Sequence, residues 1–370
     1  MPTDTIYVDP RRLDRISTLI ADLKNLAAPA QSTTSRWPLK GVEAVQNQLI
    51  CTWLQNFSHF ITDETVWTSM STQINVKGKQ LLDWIKQAES VSILSNTKGL
   101  VTNFVANEEY LIYEYGYTTS ITPTINRIDP HVRRLSAPIM WNGADVMKFK
   151  DGRLVTIQHY SDSIGLTMQL GFMKNVKIGH DEAPVSPGLD GRYTSREISD
   201  AQKFGAFFGG ISVGSGNTER ARRNIENCRG IHEAFVNDRS SDFDRLIGPG
   251  SVWIDAPTRT ILDGALAAAH HDHSNWSRAF TNNGATVHNI ISNDDWSIVQ
   301  HRGDGTHLGD LELGGQIFKP TGKKVSIYVL DCVKMGQDGK ASLIRNYYDV
   351  GSMMFQLGVI DSFLISPANN

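Results

Sequence analysis

Between residues 100 and 160 the chain alternates apolar and polar side chains at period 2, the mark of half-buried strands. Four runs carry the pattern: Leu100–Ala106, Tyr110–Thr119, Pro138–Lys150 and Arg153–Tyr160, the last two joined by a Lys150-Asp-Gly hairpin signal. Upstream the period is helical. Arg11–Leu26 places Leu13, Ile16, Ile20, Leu23 and Leu26 on one face, and Val45–Phe57 and Gly78 to about Ala88 predict two further helices around a short Val66-Trp67 segment. Helices first and an antiparallel meander afterwards make an α+β pattern.

The pattern then returns. Val66-Trp67 recurs as Val252-Trp253 at an offset of 186 (252 − 66), and Gly78 recurs as Gly264 at the same offset. Asp151-Gly-Arg recurs as Asp338-Gly-Lys, Tyr160-Ser-Asp as Tyr347-Tyr-Asp and Gln169-Leu-Gly as Gln356-Leu-Gly, each at 187 (338 − 151). A drift of one residue over such a length points to an internal repeat. The expected organisation is an N-terminal helical arm (1–37), a first domain (38–173), a strap (174–215), a second domain (216–363) and a tail (364–370). The strap holds Pro184, Pro187, many glycines and the aromatic knot Phe204-Gly-Ala-Phe-Phe, which suggests a segment laid against a surface.

In the second copy, the stretch from Gly303 to Met335 sets His307 and Asp331 on two strand-patterned segments. Ile327, Val329 and Val333 share a strand face with Asp331, so one carboxylate stands in an apolar row. Desolvation there is expected to raise its pKa toward a value useful for proton transfer. Asp145 stands in the same way beside Ile139, Trp141, Met147 and Phe149 in the first copy.

The 370 residues carry a net charge of −3, which argues against a basic nucleic-acid surface and a polybasic membrane anchor, so neither partner is expected. No apolar run approaches the ~18 residues of a membrane span, and the first residues lack a secretory pattern. The three cysteines, Cys51, Cys228 and Cys332, are far apart and odd in number, which fits free, buried thiols and a cytoplasmic protein. His270-His-Asp-His273 has poor spacing for a metal site, so no metal and no cofactor are expected.

Taken together, Val252-Trp253 with Asp255, Gly264, His270-His271, Trp276, Phe280, Gly305-Thr-His-Leu-Gly-Asp-Leu, Pro320-Thr-Gly-Lys, Asp331, Asp338-Gly-Lys, Tyr347-Tyr-Asp and Gln356-Leu-Gly resemble the SnoaL-like polyketide cyclases and related ester cyclases. These belong to the wider nuclear-transport-factor-2-like superfamily. The resemblance implies two tandem cone-shaped α+β barrels, each a curved antiparallel sheet closed by N-terminal helices. It also implies outer sheet faces covered by pairing, here as a pseudo-twofold dimer within one chain that could itself form a homodimer. The implied chemistry is cofactor-independent acid/base catalysis on a hydrophobic, carbonyl-bearing small molecule, such as an intramolecular aldol closure, with isomerisation or hydrolysis as variants.

Carried onto this chain, the resemblance makes Asp331 the base, with Asp349 as its rival, and His307 the partner or oxyanion donor. Trp253, Asp255, His270, His271, Trp276, Phe280, His301 and Tyr347 become substrate-binding candidates. Asp145, Asp162 and Trp67 are the first-copy counterparts. That copy has Ser120 where the second has His307, and its strand carries Tyr113, Tyr115 and Tyr117 on one face, which puts its activity in doubt. A non-catalytic binding or assembly protein of the same fold is the alternative, to be decided by whether the cavity is open or filled by aromatic side chains.

Overall fold

The computed structural model describes residues 61–83, 94–121, 139–162 and 210–360, apart from positions 72, 79, 151, 152, 258, 259, 264, 314 and 315. The N-terminal arm, the helix expected at 45–57, Cys51 and most of the strap lie outside the described residues. Among those described, β1 (Val66–Ser69), β2 (Asn75–Lys77), β3 (Leu94–Ala106), β4 (Tyr110–Ile121), β5 (Ile139–Lys150), β6 (Arg153–Ser161) and β7 (Gly210–Val213) form one sheet, ordered β2-β1-β6-β5-β4-β3-β7. A second sheet contains β8 (Ile247–Asp255), β9 (Thr260–Asp263), β10 (Phe280–Ser292), β11 (Trp296–His307), β14 (Lys324–Met335) and β15 (Ala341–Tyr347), ordered β10-β11-β14-β15-β8-β9. Two short strands, β12 (Leu311–Leu313) and β13 (Gln316–Phe318), form a separate hairpin. Among the described residues the helices of eight residues or more are α1 (Glu219–Val236), α2 (Ala265–Ala279) and α3 (Val350–Leu357).

Read from β9, the second sheet repeats the strand order of the first from β2 to β3. Its pairing is not a pure antiparallel meander. β1 runs parallel to β6, and β8 parallel to β15, because the chain crosses to the far edge after the opening strands and meanders back to meet them. The strap departs from expectation where it is described: Gly210–Val213 joins the first sheet as an edge strand parallel to β3.

Strand alternation gives each sheet two working faces. One face of each packs on the other sheet. Val105, Ile112, Ala144, Val146 and Tyr160 meet Ile291, Trp296, Ile298, Leu330, Cys332, Leu343 and Tyr347 in a single apolar core. Polar contacts cross this core in matched places. Glu114 on β4 pairs with Arg345 on β15, both fully or nearly buried, with the guanidinium also over the Trp296 ring. At the corresponding strands of the opposite sheets, Gln300 on β11 donates to Gln158 on β6 at 2.7 Å. Asn107 donates to the Ser292 carbonyl, and Asn293 to the Ala106 carbonyl.

The opposite face of the second sheet is covered by α1, α2 and α3. Thr218 caps α1 by accepting from the Ala221 N–H, and Ala221, Asn224, Cys228 and Ala234 are its buried positions, so that the helix lies along β10 and β11. Close packing at the far end of this sheet needs Gly305, where an added Cβ would come within 2.7 Å of the Phe280 Cβ. Gly305→Val is expected to destabilise the protein by about 1–3 kcal/mol through overpacking, read as a lower urea midpoint with an unchanged slope.

Candidate active site

On β14 the alternation separates two environments. Leu330 and Cys332 face the other sheet, while Ile327, Val329, Asp331 and Val333 line a partly open pocket on the helical side. The pocket has a volume of about 130 Å³. Its walls are mainly apolar, with Phe235 from α1, Trp253 from β8, Trp276 from α2 and Met353 from α3 among them.

Asp331 meets two imidazoles in this pocket. His301 on β11 brings Nε2 to 3.0 Å from Asp331 Oδ2, and His232 on α1 brings its Nε2 to 3.2 Å from the same oxygen. The two rings lie 4.4 Å apart, centroid to centroid, and the three side chains are only 11–14% exposed. An ionised carboxylate accepts and does not donate, so both Nε2 atoms serve as donors here. His301 Nδ1 is then left as a buried atom without a hydrogen-bond partner among the described residues.

The electrostatics reverse the expected direction at Asp331. Burial pushes its carboxyl up, but His301 and His232 beside it pull it further down, and the net result lies well below the usual carboxylate range. A neighbouring pair of donors outweighs desolvation. At His301 burial wins: it lowers the imidazole and so favours the neutral ring, although the Asp331 charge pulls the other way. Cys228 also lines the pocket, but burial raises its thiol to about 12, which removes it as a nucleophile at neutral pH.

His307 is not the partner of Asp331. Across β11 and β14 the register opposes Val299 to Asp331 and Thr306 to Lys324, so His307 stands six residues beyond His301. At ~3.3 Å per residue that is roughly 20 Å. It is fully buried between Phe280 and Thr321, with its Nδ1 3.2 Å from the threonine oxygen. His307→Asn is accordingly expected to leave any proton transfer at Asp331 within about 3-fold of wild type while lowering thermal stability, since it disturbs only local packing and the Thr321 contact.

The other sequence-selected positions divide. Trp253, Trp276 and His301 line the pocket. Tyr347 does not: it points into the core between the sheets, and its neighbours Asn346 and Tyr348 reach the pocket instead, as period 2 requires. Phe280 is buried beneath Trp276, at a centroid distance of 4.4 Å. Asp255 accepts from the Tyr348 hydroxyl at 3.3 Å. His270 packs edge-on against Phe243, and the side chain of His271 lies outside the described residues. Asp349 caps α3, accepting from the Ser352 N–H at 3.1 Å, so a structural task occupies the rival base.

In the first sheet Asp145 has an array of its own. Tyr113 donates to its Oδ2 at 2.5 Å and His159 Nδ1 lies 2.7 Å from its Oδ1. The Tyr115 hydroxyl is 3.1 Å from the same ring nitrogen, and Trp67 lies against the His159 ring. Gly143 makes room for this arrangement, since a Cβ there would collide with the Tyr115 ring. Asp162 follows the end of β6. His232, Asn346 and His159 were not singled out from sequence. For His232 the available signal was its position one helical turn beyond Cys228 on an amphipathic segment.

Two histidines and a carboxylate are also ligands for a metal ion, and the donor atoms of His232, His301 and Asp331 all lie within 4.8 Å of one another. In the His270–His273 run, His273 Nε2 is 3.3 Å from Asp238 Oδ1.

No protein-family model matches the chain, and no curated protein matches it. Solved SnoaL-like structures do. A candidate SnoaL-like polyketide cyclase from Jannaschia sp. CCS1 is 17% identical, covers 40% of this chain and 99% of its own, and gives a TM-score of 0.36. IdmH, a candidate polyketide cyclase from Streptomyces antibioticus, is 23% identical over 36% of this chain and 98% of its own, with a TM-score of 0.30. An LEH-like epoxide hydrolase from M. tuberculosis is 14% identical over 37% of this chain and 91% of its own, with a TM-score of 0.29. No described helix is long and apolar enough to cross a membrane.

Proposed function

We propose that the second half of this chain is a cofactor-independent acid/base enzyme acting on a small, hydrophobic, carbonyl-bearing molecule. The observation that carries the reading is the convergence of His232 and His301 on one oxygen of Asp331 inside an apolar pocket. A hydrophobic body is held by Trp253, Trp276 and Val329, and an imidazole removes a proton next to the carbonyl. Asp331 holds the ring in place and stabilises the imidazolium that forms, as an orienting carboxylate does in other histidine-dependent sites. Exclusion of water by the apolar walls strengthens that pairing. A cavity of about 130 Å³ is comparable to the ~150 Å³ that holds a benzene ring, which suits a substrate presenting one ring-sized portion to the site. Aldol closure, isomerisation and elimination all begin with this proton transfer.

The chain as a whole is read as two copies of one α+β unit paired face to face. The shared strand order and the matched Asn107 and Asn293 contacts support that reading.

The test uses the full chain with a β-keto ester and a 1,3-diketone as probes in D2O, following loss of the acidic C–H signal by NMR. Wild-type protein is expected to accelerate exchange, and His232→Asn to reduce the acceleration. Probe binding without acceleration would instead make the pocket that of a non-catalytic binding protein.

A further inference from the structure

We infer that His232, His301 and Asp331 also form a binding site for a first-row divalent cation of the Zn2+ or Co2+ type, with an open coordination position facing the pocket. The three ligands come from α1, β11 and β14, so three different elements fix them. Metal–ligand bonds of about 2.0–2.2 Å place donor atoms about 2.9–3.4 Å apart at coordination angles between octahedral and tetrahedral. The two Nε2–Oδ2 separations, 3.0 and 3.2 Å, already fall in that interval.

The donor set selects the class of ion. Imidazole suits zinc, cobalt, nickel and iron, whereas magnesium and calcium prefer all-oxygen surroundings. Three protein ligands leave a fourth position for water or a pocket ligand. Two neutral imidazoles and one carboxylate leave a dication with one positive charge uncompensated in an apolar cavity. An anionic oxygen ligand, such as the enolate of a 1,3-diketone, would neutralise it.

One feature limits affinity. Ligation through Nε2 moves the ring proton of His301 to Nδ1, which has no hydrogen-bond partner among the described residues. Sites lacking that outer partner bind about 10–100-fold more weakly than those possessing it. Because the metal takes the nitrogen that faces Asp331, metal occupancy and imidazole–carboxylate proton transfer exclude each other. This last step rests on the function proposed above.

The experiment starts from full-length, tag-free protein stripped with EDTA and titrated with CoCl2. The readouts are visible ligand-field absorption and calorimetry. One Co2+ per chain is expected, displaceable by Zn2+ and lost in His232→Ala and His301→Ala, with His270→Ala binding as wild type. Each variant is first checked for fold by circular dichroism, and His232→Asn and His301→Asn replace any alanine variant that fails. Absence of binding by the folded wild type, or binding undiminished in the folded His232 and His301 variants, overturns the site. The exchange assay separates the two readings. Metal-free protein that is active and silenced by Zn2+ supports both. Activity that bound Zn2+ leaves untouched overturns the placement of the metal on the proton-carrying atoms. Metal-free protein that is inactive while Co2+ binding persists overturns the proton-transfer reading and leaves the metal site standing.

Discussion

Asp331→Asn is expected to lower probe exchange by roughly 10²–10⁴-fold, the range over which positioned acid/base groups act. The substitution keeps the shape of the side chain but removes the charge that two imidazole N–H groups now share. With its amide oxygen where Oδ2 now lies, asparagine still accepts from both rings, but as a neutral acceptor; turned over, its NH2 group meets two N–H donors. In either orientation, stabilisation of the imidazolium is lost with the charge. Probe affinity should stay within a few-fold of wild type, because the apolar walls are untouched, and the melting temperature should confirm that the fold persists. Exchange at the wild-type rate in a folded Asp331→Asn protein would remove this residue from the chemistry.

The second large effect belongs to the core between the sheets. Glu114→Ala or Arg345→Ala should each cost about 3–5 kcal/mol, because each leaves an opposite charge buried without its partner. For domains of this size that corresponds to a fall in melting temperature of roughly 6–20 °C. The double variant Glu114→Leu with Arg345→Met should be far less damaging than either truncation, since replacing a buried pair by apolar side chains of similar volume is often neutral or stabilising. Equilibrium unfolding of both single variants and the double variant gives the coupling directly. Additive losses would show that the two side chains do not depend on each other.

What could be read from the residues alone follows from the range of each pattern. Alternation at period 2 is local, so the placement of Asp331 among Ile327, Val329 and Val333 was visible and agrees with the pocket lining. The partner of Asp331 depends on the register between β11 and β14. Residues 308–323 separate these strands and include a hairpin of their own, so sequence spacing does not say which histidine comes opposite. His307 was therefore favoured over His301, although both lie on the same strand. His232 reaches the site from α1, through packing that no short-range pattern encodes. The direction of the Asp331 shift depends on those two neighbours. An apolar row alone implies a rise, and only the donors across the pocket turn it into a fall. Tyr347 shows the same limit at a finer scale, because an error of one residue along a strand exchanges the pocket for the inter-sheet core.

The covalent joining of both sheets permits an unequal division of labour at their contact. Two separate but identical subunits related by a twofold axis would carry the same pair of residues at both crossing points, so any substitution would be made twice. Here one crossing holds an acid facing a guanidinium and the other holds two neutral amides. One crossing can therefore be altered without touching the other. The same freedom extends to the two aspartates, where Asp145 is held by Tyr113 and one histidine and Asp331 by two histidines, so each can be tuned without a compromise imposed by the other.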